Sequence, residues 1–209
     1  YTQDMNSGPE KLTLIFIGMS GCGKGTQIDL LTEYLERKDI NIPVFHMQIG
    51  QYFRDFVSRD TFAASIAKDM IEHGKRGPDF LAMWMWSNVM VKNLTGNEHL
   101  IVDGSPRSLN EAQNLDIALK FFKREQPAVI HLKVSEEWSE QHLLERAKKQ
   151  GRTDDTIEGI RRRIAWYRQD VIPAVDWYRR DRDYDFIEIN GERPIEMVHK
   201  DIITNLFGA

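Results

Sequence analysis

Apolar residues in this chain recur in two rhythms. Short continuous apolar runs, such as Leu12 to Ile17 and Leu100-Ile101-Val102, predict buried strands at 12–18, 43–47, 99–103, 128–134 and 185–189. Between them the apolar positions fall at helical spacing. Ile28, Leu31 and Leu35 share one face of a helix over Gln27 to Lys38, and Trp138, His142, Leu143 and Leu144 mark a helix ending at Arg146. Asp155-Thr156-Ile157-Glu158 reads as a helix start, with Asp155 as its cap and a carboxylate three residues on. Met83, Trp84, Met85, Trp86 and Met90 crowd the segment after Gly77-Pro78, which predicts a buried helix. Trp166, Tyr167, Trp177 and Tyr178 predict packing of C-terminal helices. Strands alternating with helices predict a parallel sheet wrapped by helices, with any ligand at the carboxyl ends of the strands.

One connection carries chemistry. Between the first strand and the first helix lies Gly18-Met19-Ser20-Gly21-Cys22-Gly23-Lys24-Gly25-Thr26. Strand, glycine-rich turn and helix form the context of a phosphate-binding loop. The glycines let backbone N–H groups converge on phosphate oxygens. The helix N-terminus adds a partial positive charge, and Lys24 adds a whole one.

Two further groupings supply what such a loop needs. The third strand ends in an acid and continues as Asp103-Gly104-Ser105-Pro106-Arg107. A parallel strand would deliver Asp103 beside the loop, where it can hold Mg²⁺ through water, and place Arg107 to grip a phosphate bidentately. Arg146, Arg152 and Arg163 cluster around Gly151-Arg152-Thr153-Asp154-Asp155. Fixed positive charge of this density suits a phosphoryl group in transfer, whose negative charge spreads over several oxygens. Arg161, Arg162 and Arg168 read instead as a solvated helix face.

Composition narrows the partners. The 209 residues suit one α/β domain. A net charge of −4 argues against general nucleic-acid binding, while arginines concentrated in the C-terminal half suit a small anion. A single cysteine, Cys22, excludes an internal disulfide and makes a reducing cytoplasm the expected compartment. Within the loop, Cys22 reads as a small filler. No apolar run approaches the roughly 20 residues that span a bilayer. No signal peptide is visible, and polar Tyr1 to Glu10 reads as a tail at 1–10.

The run Gly-Lys-Gly-Thr-Gln at 23–27 narrows the loop further. A general phosphate loop has Ser or Thr directly after the Lys; here Gly25 intervenes and the hydroxyl comes at Thr26. This resembles nucleoside monophosphate kinases of the adenylate kinase family, and the Asp103 to Arg107 and Arg146 to Arg163 groupings follow in that family's order. The resemblance covers nearly all of the chain from about Lys11. It implies a P-loop nucleoside monophosphate kinase fold, an α/β domain at 11–209 with a five-stranded parallel sheet flanked by helices. It also implies a monophosphate-binding flap at 49–78 and a short lid at 146–156, too short and too poor in cysteine for a structural metal.

Function and site residues follow from the same resemblance. It implies an ATP-dependent kinase with Mg²⁺ that makes two ADP from ATP and AMP, acting as a cytoplasmic monomer without nucleic-acid or membrane partners. Phosphate handling would fall to Lys24, Arg107, Arg146, Arg152 and Arg163, with Asp154 orienting arginines. ATP would contact Ser20, Gly21, Cys22, Gly23, Lys24, Gly25 and Thr26, with Arg146 on its phosphates and His142 and Arg193 toward the adenine side. The monophosphate would meet Ile49, Gly50, Arg54, Gly77, Gly104, Arg107, Glu111, Arg152 and Arg163. Two positions depart from the family. Ile49 stands where a threonine hydroxyl lies near the adenine, and Glu111 where a glutamine reads the base. An ionised carboxylate only accepts, which suits guanine's N1–H and N2–H₂. GMP and pyrimidine monophosphates are therefore alternatives to AMP. A non-catalytic ATP-sensing module is the alternative from another class.

Overall fold

A computed structural model describes residues 11–72, 76–150 and 156–208. The five strands are β1 (Thr13–Gly18), β2 (Val44–Gln48), β3 (His99–Asp103), β4 (Ala128–Lys133) and β5 (Asp185–Asn190). They form a parallel sheet in the order β2-β3-β1-β4-β5. Each lies within a residue of its predicted bounds. Continuous apolar runs give no alternation to misread, because both faces of a parallel sheet are covered.

The two faces of β1 seed two cores. Leu14 and Phe16 pack with Ile28, Leu31 and Leu35 of α1 (Lys24–Lys38) and with Val198 and Ile202 of α9 (Ile195–Phe207). Ile15 and Ile17 point the other way. They pack toward α4 (Asp79–Asn93), α5 (Leu109–Phe121) and α8 (Ile172–Arg180). A one-residue slip of β1 would exchange these two sets, so the register is strongly specified.

Between β2 and α4 the chain forms α2 (Ile49–Val57) and α3 (Phe62–Glu72). A small core of Phe56, Ala64, Ala67, Leu81 and Met85 joins them to α4. The prediction for α4 needs one correction. Met85, Trp86 and Met90 are buried, but Trp84 is 49% exposed and meets Phe56 edge-on.

After β4, α6 (Glu136–Gln150) runs past Arg146, so that arginine lies inside the helix rather than at its end. The next helix, α7 (Ile157–Trp166), is capped by Thr156, whose hydroxyl accepts from Gly159 N at 3.1 Å. The cap therefore sits one residue beyond the predicted Asp155. A π-helical turn, Tyr167–Val171, joins α7 directly to α8. Its Tyr167 hydroxyl is 2.7 Å from His131 Nε2, and His131 Nδ1 is 3.2 Å from Glu188. The turn is thereby tied to β4 and β5. The 1–10 tail lies outside the described residues. Among those residues, no helix is long and apolar enough to cross a membrane.

Glu188 links pH to this arrangement. Burial alone would raise its pKa, but bonds from Lys133, Arg179 and His131 outweigh that and hold it at about 2. A depressed carboxylate pKa stabilises the fold above the unfolded value and loses that stabilisation as pH falls toward the folded one. Urea midpoints should therefore drop between about pH 4.5 and 2. Glu188→Gln should flatten that drop; an unchanged acid limb would disprove the assignment.

Candidate active site

The carboxyl ends of β1 and β3 lie side by side, with Phe16 in register with Asp103. The loop after β1 turns through a bond from Cys22 N to Met19 O at 3.2 Å. Gly21 and Gly23 take left-handed φ values of 82° and 91°, which disfavour a side chain there. A Cβ on Gly18 would stand 2.6 Å from Leu132 O, so β4 leaves no room for one.

α1 opens on this loop with Gly23 as its cap and no acid in its first turn. Its N-terminus keeps its partial positive charge. The Lys24 ammonium donates to Gly18 O at 2.7 Å and Met19 O at 3.1 Å, placing the cation across the loop. Cys22 is buried beneath it, as a filler. Two neighbours brace the loop. Ser139 Oγ donates to Ser20 O at 2.6 Å from α6, and Leu143 backs Gly21. From the other side, Gly191, after β5, approaches Cys22 O. Gly25 and Thr26 lie in the first turn of α1, with Thr26 exposed.

Asp103 faces this loop. Burial works to raise its pKa, but His46, whose Nε2 is 3.5 Å away, together with Lys24 and Arg107 lowers it below the usual carboxylate range. An ionised, nearly buried carboxylate beside the loop lysine and an exposed Thr26 hydroxyl is a donor set that fits hydrated Mg²⁺, a hard cation that keeps several waters.

A second cationic site adjoins the first. Arg107 follows the β3 turn; its Nε donates to Gly104 O at 2.7 Å, and the residue as a whole is exposed. It lies against Gly104 and Gly50, where Cβ atoms would stand 3.4 and 3.9 Å from its Nη2. Gly50 belongs to the first turn of α2, and Arg54, one turn further on, leans on Gln51 Oε1 at 2.7 Å. Two guanidiniums and a helix N-terminus thus converge around Gly50. Such an arrangement suits a phosphate dianion. A Cβ on Gly77 would stand 3.1 Å from the Phe53 ring of α2, tighter than ordinary contact.

Two expectations for the base are corrected. Ile49 is 3% exposed and packs with Ile17, Met47 and Trp86 in the main core. The Glu111 carboxylate has no exposure at all. One of its oxygens accepts from Ser105 Oγ and the other from Arg107 N at 2.6 Å. It therefore holds the Arg107 turn instead of presenting acceptors to a base, which removes the reason for favouring guanine. The sequence carries a signal for this. Ser108-Leu109-Asn110-Glu111 has the spacing of a capping box, and Ser108 caps α5 by accepting from Glu111 N at 3.1 Å. Here the glutamate reaches past the cap to the residue before it.

The remaining candidates divide. Arg146 on α6 and Arg163 on α7 are half-buried on adjacent helices. Arg163 Nε donates to Gly159 O at 3.3 Å. His142 stacks on Trp138 at 4.2 Å and 22°, with Nδ1 2.9 Å from Trp138 O. Arg193 pairs with Asp201 of α9. Arg152 and Asp154 lie outside the described residues.

A lysine-bearing loop and a pair of arginines at neighbouring strand ends form an arrangement that suits transfer between two phosphate-bearing ligands. The family model described as adenylate kinase matches residues 16–183. This chain belongs to the adenylate kinase family. It is 31% identical over 199 residues to an adenylate kinase of Flavobacterium psychrophilum, covering 93% of this chain and 100% of that protein. It is 34% identical over 166 residues to one from Leptospira biflexa, covering 79% of this chain and 85% of that protein. Membership in the adenylate kinase family makes it an ATP-dependent nucleoside monophosphate kinase with the fold described above.

Proposed function

We propose that this chain transfers the γ-phosphoryl group of ATP to AMP, giving two ADP. The observation that supports it is the pairing of the Lys24 loop with the Arg54–Arg107–Gly50 cradle at adjacent strand ends. The family's relatives are named for adenylate, and the case for guanine rests on a carboxylate that the fold uses elsewhere.

In this reading the loop N–H groups and Lys24 hold the ATP phosphates. Arg54 and Arg107 fix the monophosphate, with its attacking oxygen in line. No covalent intermediate is needed, because catalysis here is positioning and charge stabilisation. Mg²⁺, held through water by Asp103 with Thr26 nearby, would neutralise charge on the ATP phosphates. Arg146, Arg152 and Arg163 spread positive charge over the group in transfer, and Asp154 orients them. His142 and the turn bearing Arg193 flank the adenine of ATP. Closure of the 49–78 and 146–156 segments excludes water, so that ATP passes its phosphoryl group to the monophosphate and is not hydrolysed.

The test is NDP formation from ATP with AMP, GMP, CMP and UMP in turn, compared by kcat/KM. AMP should lead clearly, because a site that hydrogen-bonds the base edge leaves buried polar groups unpaired with a wrong base. A lead for another base would overturn AMP while leaving the kinase standing. No product with any of them would overturn the catalytic reading.

A further inference from the structure

Arg76 lies where the 49–78 segment returns to α4, and its guanidinium is shared among three elements. Nη2 is 2.6 Å from Asp79 Oδ1 in the first turn of α4. Nε is 3.2 Å from Asp170 Oδ2 in the π-helical turn after α7. Nη1 donates to the main-chain Arg107 O at 3.4 Å. Arg76 also stands close enough to the Arg107 guanidinium for the two charges to repel, as does Arg54.

An unpaired guanidinium here would be a third ligand for the monophosphate. Arg76 is not unpaired: two carboxylates occupy its fork, and its side chain is 23% exposed. Its charge is neutralised locally, so what it supplies is position. The peptide groups of Arg107 are then held on both sides, by Glu111 at the N–H and by Arg76 at the carbonyl. Asp170 adds a second link. It is seven residues beyond Arg163 on one continuous helical rod, which a π turn interrupts at the residue that makes the bond. π turns inside helices are costly and recur at functional sites.

We propose that the Arg76–Asp170 pair is a positioning contact that holds Arg107 for the monophosphate and ties the flap's C-terminal root to the helix bearing Arg163. The proposal rests on reading the Arg54–Arg107 cradle as the monophosphate site. Neither Arg76 nor Asp170 touches the reacting atoms; both act through Arg107.

A double-mutant cycle on the full chain tests this, with steady-state kinetics in the monophosphate at saturating ATP. Arg76→Ala and Asp170→Asn should each raise its KM on the order of tenfold and change kcat less, because ground-state positioning is lost while the transferring groups remain. The double variant should be no worse than either single one, and Asp170→Glu should restore a near wild-type KM. Multiplicative effects would overturn the proposal, as would an unchanged KM in Asp170→Asn, since Arg76 would then act on the substrate directly or not at all. Arg107→Ala is the reference. If it leaves the monophosphate KM unchanged, the cradle itself is misread. If it raises KM while the Asp170 variants do not, only the coupling fails. Should Arg76→Ala not fold, Asp170→Asn against Asp170→Glu decides alone.

Discussion

Lys24→Ala should yield a folded protein whose phosphoryl transfer has fallen by about 10²–10³ in kcat, the loss typical when one charge-stabilising group is removed from a transition state. Lys24 is the only side-chain cation among residues 18–26, and its ammonium already spans the loop through Gly18 O and Met19 O. The backbone N–H groups and the α1 N-terminus remain in the variant, but neither carries a whole charge. The helix itself should survive, because Ile28, Leu31 and Leu35 anchor it without help from Lys24. Coupled detection of NDP, beside a thermal melt, reads both halves of this expectation. Near wild-type turnover in the folded variant would refute the role of Lys24.

Glu111→Leu should cost stability and monophosphate affinity together. The substitution strands the Ser105 hydroxyl and the Arg107 N–H in a buried place, at about 1–3 kcal/mol for each unsatisfied donor. Arg107 then loses the bond that fixes its turn, so KM for the monophosphate should rise. Glu111→Gln separates this role from base reading. Its amide oxygen can accept from Arg107 N, and its amide N–H can donate to a rotated Ser105 hydroxyl. This variant should melt close to the wild type and keep the same AMP to GMP ratio of kcat/KM. A shift of that ratio toward AMP would return Glu111 to the base. Burial is the main cause of the raised Glu111 pKa. A raised carboxylate pKa stabilises the fold below the ordinary value and loses that contribution as pH climbs through the folded one, opposite in sign to Glu188.

What is legible in the chain follows from how local each signal is. The three inner strands β1, β3 and β4 are legible because their nearly continuous apolar runs state their own burial. The phosphate loop is legible because its glycines, lysine and flanking elements are contiguous. Asp103 and Arg107 are legible as a pair because one strand end carries both. The start of α7 is off by a residue because Asp155 and Thr156 are both competent caps, and only backbone geometry chooses between them. Glu111 misleads because its local spacing states a helix cap while the family position suggests a base. Its bond to Ser105 exists only once the turn closes. Ile49 misleads for a related reason: the face of α2 turned to the core depends on how that helix packs against α4 and β3. The partners of Arg76 are invisible, since Asp170 is distant in the chain and nothing in the surroundings of either residue names the other.

The π turn at Tyr167–Val171 also governs how this chain can change length. It accommodates one more residue than an α-helix of the same span would. Deleting a single residue there would let α7 and α8 run on as one regular helix, with no break to oppose it. Because the wide turn alone absorbs that residue, α7 and α8 would keep their faces and Arg163 its direction. What would shift are the residues of the turn itself, Tyr167 at His131 and Asp170 at Arg76. One codon at this seam therefore separates a helix with those two ties from the same helix without them.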